Sequence, residues 1–376
     1  MTDRDEFALI LSGGGARAAY QIGVLKSLTQ YLPRNHKLPF PVLCGTSAGA
    51  INATALACYA SCFHLGVRKL EWVWKNFKTE QVYDASLSEV AGYITRNYLS
   101  SWRSENISRS PGSLLNNQPL RILIKRMMDF ARIDRNIMSG NLNAINISAS
   151  CYSERNAVSF FQGKDQLQGW KRHHRQGIPC TLEIDHLLAS SAIPIVFPPV
   201  RIGDDYYGDG AIHESAPLSA PIHLGARKIF VIGVVKDKPD TPHPHMHTRL
   251  NSAQIAGHLL DTIFSDALES DIERMNRVNQ TLNLLTPQQQ KLTDLKPVEC
   301  FIINPSKSIQ NLAWKYYDEL PGGIKALLRL IGVNRSSESS LLSYLMFEGK
   351  FCSELIQLGY QDGLAQQDAI RKFLEL

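Results

Sequence analysis

The stretch Leu43-Cys44-Gly45-Thr46-Ser47-Ala48-Gly49-Ala50 decides the fold of this chain. An apolar run over 39–44 enters it, and a run of small residues with helical character over 48–60 leaves it. A strand that turns at once into a helix leaves little room at the corner, and small residues on both sides of Ser47 permit the turn. The serine hydroxyl is then held at the positive end of the helix, which favours a developing anion. The pattern alone also fits a tight turn with an ordinary serine.

A second stretch lies upstream, where the apolar run Phe7-Ala8-Leu9-Ile10-Leu11 predicts a buried strand. Ser12-Gly13-Gly14-Gly15-Ala16-Arg17 follows it, and apolar residues at helical spacing then predict a helix over 18–32. Three consecutive glycines allow backbone N–H groups to point into one space without obstruction by Cβ atoms. Such a loop suits an anion, which is either a phosphate or the oxyanion of an attacked carbonyl group.

The third stretch is Tyr206-Tyr207-Gly208-Asp209-Gly210-Ala211, which follows an apolar run interrupted by prolines over 192–200. An aspartate between glycines is by itself typical of a turn. If the carboxyl is buried, however, desolvation raises its pKa and makes it a better base for a serine hydroxyl.

Together these stretches resemble the patatin-like phospholipase family. The motifs stand in the family's order: Ser12-Gly13-Gly14-Gly15-Ala16-Arg17, Gly45-Thr46-Ser47-Ala48-Gly49, Ala189-Ser190-Ser191-Ala192-Ile193-Pro194 and Asp209-Gly210-Ala211. The resemblance covers about residues 6 to 235. It implies an α/β fold, specifically a patatin-like three-layer α/β/α sandwich with a mostly parallel central sheet. An additional helical C-terminal region would follow. The expected catalytic domain is therefore 6–235, with 305 as the alternative boundary, and 306–376 is a helical region of unassigned role.

The resemblance also implies roles for individual residues. Ser47 would be the nucleophile and Asp209 the base of a catalytic dyad without a histidine. The other implied positions are the oxyanion hole (Gly13, Gly14, Gly15, with Arg17 beside it), the nucleophile elbow (Gly45, Thr46, Ala48, Gly49) and the Asp-Gly-Ala motif (Gly210, Ala211). The competing arrangement is a Ser-His-Asp triad, which needs a histidine late in the chain. None of His213, His223 and His258 lies in a glycine-rich loop after a predicted strand.

The implied function is a serine lipid acyl hydrolase of the phospholipase A or lysophospholipase type. It would act through an acyl-enzyme on a lipid or phospholipid substrate, and it would need no cofactor and no metal. Three alternatives remain open. The same dyad could serve an acyltransferase or a general carboxylesterase, and the chain could instead be a non-catalytic lipid-binding protein.

Composition restricts the setting of this chemistry. The chain has 376 residues, of which 44% are hydrophobic and 20% charged, as is usual for a globular protein. Residues 1–6 do not resemble a signal peptide and no run of 18 apolar residues occurs, so we expect a cytoplasmic protein, with peripheral contact at a membrane surface as the alternative. A net charge of +5 suits an anionic membrane but is too small to indicate nucleic acid. The seven cysteines have no disulfide or zinc-site pattern.

The remaining sequence predicts further elements. Strands are expected over 141–150, 157–161 and 228–235, with a hairpin between the first two, and another over 297–304. Helices are expected over 119–131, 255–285 and 321–335; the last is either an interfacial helix or one packed on the domain. The polar segment 86–112 is a candidate cover over the site, and 236–248 is a loop rich in proline and histidine.

Overall fold

The structure is a computed structural model that describes residues 6–86, 88, 92, 113–235, 252–333 and 340–376. Its strands are β1 (Phe7–Leu11), β2 (Val42–Thr46), β3 (Ala144–Cys151), β4 (Asn156–Gly163), β5 (Trp170–Arg172), β6 (Arg175–Pro179), β7 (Val200–Ile202), β8 (Asp205–Asp209), β9 (Lys228–Ile232) and β10 (Glu299–Ile303). Its helices are α1 (Ala19–Leu28), α2 (Ala48–Cys58), α3 (Phe63–Lys75), α4 (Gln118–Met127), α5 (Ala131–Met138), α6 (Ile184–Ser190), α7 (Ser219–His223), α8 (Ser252–Leu284), α9 (Pro287–Gln290), α10 (Ile309–Ala313), α11 (Gly322–Leu330), α12 (Leu341–Leu345), α13 (Gly349–Ala365) and α14 (Gln367–Phe373). The hypothesis of a cover falls almost wholly outside the described residues, and segment 236–248 falls outside them entirely.

One ten-stranded sheet forms the centre of the fold. Eight strands follow the order β10-β9-β1-β2-β3-β4-β6-β5, and β8 pairs with both β3 and β7. The five strands from β10 to β3 run parallel to one another. The carboxyl ends of β1 and β2 therefore meet at the same edge, which brings the glycine loop after β1 beside Ser47 after β2. Ligand sites in open α/β sheets lie at this edge.

Strand register also explains why Asp209 lies near Ser47. β4 pairs with β3 along its whole length and so occupies one side of it. β2 and β8 must share the other side, where Thr46 is opposite Ser148 and Asp209 is opposite Ala149. The last residue of β2 and the last residue of β8 are therefore on adjacent rungs of β3, although more than 160 positions separate them in sequence.

Helices cover both faces of the sheet. In β1, Phe7, Leu9 and Leu11 pack into a core with α1, α2, α3 and α13, whereas Ala8 and Ile10 pack into a second core with α7 and α8. This alternation follows the two-residue period of a strand, and its nearly continuous apolar sequence is typical of a strand buried on both faces. The predicted mixed α/β fold with a central sheet between helices is thus confirmed.

Helices from the two ends of the chain pack backbone to backbone. A Cβ atom on Gly23 of α1 would lie 2.0 Å from the Ile356 carbonyl oxygen, and one on Gly359 of α13 would lie 2.1 Å from the Tyr20 carbonyl oxygen. The Tyr20 hydroxyl also donates to Asp362 at 3.0 Å. These glycines permit an approach that larger side chains would prevent, so α13 forms part of the layer next to the nucleophile.

Two predicted helices differ from the structure. The helix expected over 119–131 ends at Met127, because Met128 is extended (φ −118°, ψ 126°), and α5 then begins at Ala131. The helix expected over 321–335 is α11, whose apolar residues Ile324, Leu327 and Leu328 are buried. The interfacial alternative for this helix is therefore wrong, because its apolar face is already covered. Within the described ranges, no helix is both long enough and apolar enough to cross a membrane.

Candidate active site

Ser47 lies at a strained turn between β2 and α2. Its φ of 56° and ψ of −129° belong to a region that residues with a Cβ atom rarely adopt, at a cost on the order of 1–3 kcal/mol. The flanking glycines make the turn possible. A Cβ atom on Gly45 would lie 2.6 Å from the Ala50 Cα atom, and one on Gly49 would lie 2.1 Å from the Leu11 carbonyl oxygen. Small residues in this motif are therefore required by the close contact of α2 with β1 and β2.

A chain of hydrogen bonds holds the turn in place. The Ser47 N–H donates to the Ser190 hydroxyl at 2.9 Å, and that hydroxyl donates to the Ser148 carbonyl oxygen at 2.6 Å. Ser190 lies in the motif Ala189–Pro194, so this motif supports the backbone of Ser47 from α6. The Ser47 side chain is only 2% exposed.

Asp209 is buried beside Ser47, with 1% of its surface exposed. Burial is the largest effect on its carboxyl and raises the pKa to about 7, while the Ser47 hydroxyl and the Ala211 N–H lower it and the charge of Glu214 raises it. The Ala211 N–H donates to Oδ1 at 3.1 Å. Among the described residues, the buried Oδ2 atom has no partner within hydrogen-bond geometry. The carboxyl therefore retains an acceptor position and has a pKa suited to a base near neutral pH.

The glycine loop lies against Ser47. A Cβ atom on Gly13 would come within 3.1 Å of the Ser47 Cβ atom. The amides of Gly13 and Gly14 are buried, and neither donates to any group in the part of the chain that the structure describes. Buried amides without an acceptor are rare in folded proteins, and they suit an anion that binds only during a reaction.

The side chain of Arg17 points away from the two proposed catalytic groups. It is 4% exposed, and it donates to the Ser343 hydroxyl at 2.8 Å and to Asp261 at 2.9 Å. It also stacks on the ring of Tyr344, 3.9 Å from the centroid. Arg17 thus joins the glycine loop to α8 and α12, and none of its hydrogen bonds reaches Ser47 or Asp209. Only the backbone of Arg17 lies beside the predicted oxyanion hole. Its N–H donates to the Gly14 carbonyl oxygen at 3.1 Å.

Glu214 is a partly buried acid that the sequence analysis missed. Its carboxylate accepts from the Thr46 hydroxyl at 2.7 Å and from the Ser148 hydroxyl at 2.6 Å. Burial raises its pKa, and the two hydroxyl groups lower it. Glu214 thereby connects the residue before the nucleophile to β3 and to the segment after Asp209. In the sequence, the only indication that Glu214 lies near the site is its position five residues after Asp209.

An apolar cavity of about 50 Å³ extends from Ser47 between α3 and α4. Its walls are mainly aliphatic and aromatic, with Leu70, Val73, Trp74, Leu123, Ile124 and Met127 among them. The volume equals about three to five water molecules, so a long acyl chain would have to displace side chains. On the other side, Phe264 packs over Gly13 and stacks on Tyr344, with the ring centroids 5.4 Å apart.

The histidines considered for a triad lie elsewhere. His223 bonds to the Ser219 carbonyl oxygen and stacks on Trp170, and the pKa of His213 is lowered by burial and by His174. In the described part of the chain, neither histidine nor His258 forms a hydrogen bond to Ser47 or Asp209. The described residues also contain no group of three or more histidine, cysteine or acidic residues that could hold a metal ion.

Comparison with known proteins gave one family. The model of the patatin-like phospholipase family matches residues 9–222. The comparison with curated proteins gave no match. Among solved structures, VipD from Legionella pneumophila is similar at 10% identity and a TM-score of 0.32, covering 97% of this chain and 67% of VipD. The structure of SpcU with ExoU from the type III secretion system of Pseudomonas aeruginosa is similar at 14% identity and a TM-score of 0.28, covering 93% of this chain and 70% of the other.

Proposed function

This chain belongs to the patatin-like phospholipase family, and on that premise we propose that it is a serine lipid acyl hydrolase of the phospholipase A or lysophospholipase type. The observation that carries the proposal is Ser47 on a strained turn, beside the buried carboxyl of Asp209 and at the end of an apolar cavity. The family supports a lipid substrate, and the side chains support acyl transfer.

In the proposed reaction, the Ser47 hydroxyl attacks the ester carbonyl while Asp209 accepts its proton. The amides of Gly13 and Gly14 donate to the oxyanion that forms, and one such donor commonly contributes a hundred- to a thousandfold in rate. Asp209 then returns the proton to the leaving alcohol, which departs and leaves an acyl-enzyme. Water, deprotonated by Asp209, attacks this ester and releases the fatty acid and the Ser47 hydroxyl.

The cavity between α3 and α4 is proposed to hold the acyl chain. Val73 lies on its wall and Leu65 is exposed on the same helix. A Val73→Trp substitution should narrow the cavity, so hydrolysis of long-chain p-nitrophenyl esters should fall at least tenfold while the acetate ester is cleaved normally. Leu65→Trp is the matched control and should leave chain-length preference unchanged. Equal effects of both substitutions would contradict this assignment.

We also propose that residues 306–376 act as part of the catalytic unit. The contact of α13 with α1 and the hydrogen bond from Arg17 to Ser343 support this view. The boundaries at 235 and 305 remain predictions.

The test of the function compares wild type with Ser47→Ala and Asp209→Asn. A soluble medium-chain p-nitrophenyl ester and phospholipid vesicles are the substrates, and a fluorophosphonate probe reports on the nucleophile. Both variants should lose about 10⁴-fold or more in turnover, because the two groups act as one unit. Failure of wild type to react with the probe would favour a non-catalytic lipid-binding protein. A new ester formed from an added alcohol would identify an acyltransferase, and activity on soluble esters alone a general carboxylesterase.

A further inference from the structure

The positive charge of the chain is concentrated in three helices, two of which, α3 and α4, line the cavity. α3, α4 and α5 contain eight basic and two acidic residues, so they hold more net positive charge than the chain as a whole, whose net charge is +5. The remaining sequence is therefore close to neutral. Such an uneven distribution points to a surface with an anionic partner.

Four of these cations are exposed and lack an acidic partner. Arg68 and Lys69 on α3, and Lys125 and Arg126 on α4, form no salt bridge with any residue that the structure describes. In contrast, Lys75 pairs with Glu71 on the same helix. Exposed basic residues without partners keep their full attraction for an external anion.

Large apolar side chains stand among these cations. Trp72 is 66% exposed and lies one turn from Lys69, and Ile122 is 52% exposed and lies one turn from Lys125 and Arg126. Residues three or four apart share one face of a helix. An indole ring next to basic residues is typical of the interface between a bilayer and water, where an apolar ring and a cation are both stabilised.

The opposite faces of the same helices line the cavity that starts at Ser47. Val73 on α3 and Leu123 and Met127 on α4 are only partly buried, so the outer end of the cavity lies at the surface between the two helices. The cations and Trp72 therefore lie on the outward faces of the two helices whose inward faces line the cavity. We call these outward residues of α3 and α4 the basic face: Arg68, Lys69, Trp72, Ile122, Lys125 and Arg126.

We propose that the basic face docks on a bilayer of anionic phospholipid, so that an acyl chain enters the cavity between α3 and α4 directly from the membrane. The entry of an acyl chain into the cavity rests on the proposed function, whereas the docking of the protein on the bilayer does not. Each basic residue near an anionic surface contributes about 1 kcal/mol, which is about a fivefold change in partition. Replacing Lys125 and Arg126 by glutamate should thus weaken binding at least about 25-fold, which is about fivefold for each lost cation.

The test measures flotation of the full chain, carrying Ser47→Ala, with vesicles of phosphatidylcholine alone or mixed with phosphatidylserine. The parent should float only with the anionic vesicles, and less as salt is added. Lys125→Glu with Arg126→Glu should abolish flotation, and Trp72→Ala should weaken it several-fold. The matched control, Lys291→Glu with Lys296→Glu, makes the same charge change at two exposed lysines outside the basic face and should float as the parent does.

Several outcomes would overturn the proposal. These are equal flotation with neutral vesicles, equal loss in the matched control, or no flotation at all. When the same substitutions are made in the wild-type chain, which keeps Ser47, hydrolysis of a soluble ester should be unchanged. This result would also show that the variants are folded. If wild type hydrolyses no ester yet the parent floats with anionic vesicles, docking stands and the proposed function fails. If wild type is active and no chain floats, docking alone fails.

Discussion

Acidification should inactivate the proposed base at an unusually high pH. Burial beside Ser47 raises the pKa of Asp209 to about 7 from 3.8. Only about 1% of the carboxyl is then ionised at pH 5, about 50% at pH 7 and about 90% at pH 8. We therefore expect kcat/KM for a soluble ester to rise about tenfold per pH unit below pH 7 and to level off above it. An aspartate with an ordinary pKa would give a flat profile over this range.

Glu214→Gln tests the physical cause of that profile. The charge of Glu214 raises the pKa of Asp209, so its removal should move the acid limb to lower pH. Glutamine has the same shape and can still bond to the Thr46 and Ser148 hydroxyl groups. Ser148→Ala is the control, because it removes one of these hydrogen bonds and keeps the charge.

The measurement is kcat/KM between about pH 5 and pH 9, for wild type and both variants, with stability checked at each pH. An acid limb in wild type that moves in Glu214→Gln, and moves less in Ser148→Ala, is the expected result. A flat wild-type profile would refute a buried Asp209 as the base. A limb that stays in place in Glu214→Gln would refute the electrostatic coupling.

Three further predictions concern stability. Folding raises the pKa of Asp209 from 3.8 to about 7, so the fold loses stability as the pH rises through this window. The Tm of Asp209→Asn should therefore equal that of wild type below the window and exceed it above the window. Gly15→Ala should lower the free energy of unfolding, measured by chemical denaturation, by about 2 kcal/mol or more. Gly15 has a φ of 54°, and a Cβ atom there would lie 2.3 Å from the Tyr344 carbonyl oxygen. Gly322→Ala is the control and should be nearly neutral, because the space around Gly322 is open. Arg17→Met should cost about 1–3 kcal/mol, since it removes the guanidinium that donates to the buried Ser343 hydroxyl; an unchanged midpoint would contradict the role described for this side chain.

The parts of the fold that were predictable from sequence depend on local geometry. The apolar run of β1 and the small residues around Ser47 each constrain only their own neighbourhood, and the strand–turn–helix corner follows from them. The long helix α8 was also predictable, because its apolar periodicity extends over many turns. Family resemblance then indicated which residues should meet, although their catalytic roles stay predictions.

Other features depend on contacts that no local pattern encodes. Arg17 bonds to Asp261 and Ser343, which lie 244 and 326 positions away in sequence. The role of Glu214 could be seen only once the register of β2 and β8 on β3 was known. In α11, an amphipathic pattern is the same whether its apolar face meets a membrane or a core, so only the packing decided between them.

The contact between α1 and α13 has a consequence for how the chain is made. The ribosome has synthesised α1 once it adds Leu28, but α13, which packs on α1, begins only at Gly349. At about 5–20 residues per second, the interval is about 15 to 65 seconds. Until α13 emerges, the layer beside Ser47 lacks one of its helices and Arg17 lacks its partners on α12. A nascent chain should therefore acquire the proposed hydrolase activity only after α13 has emerged.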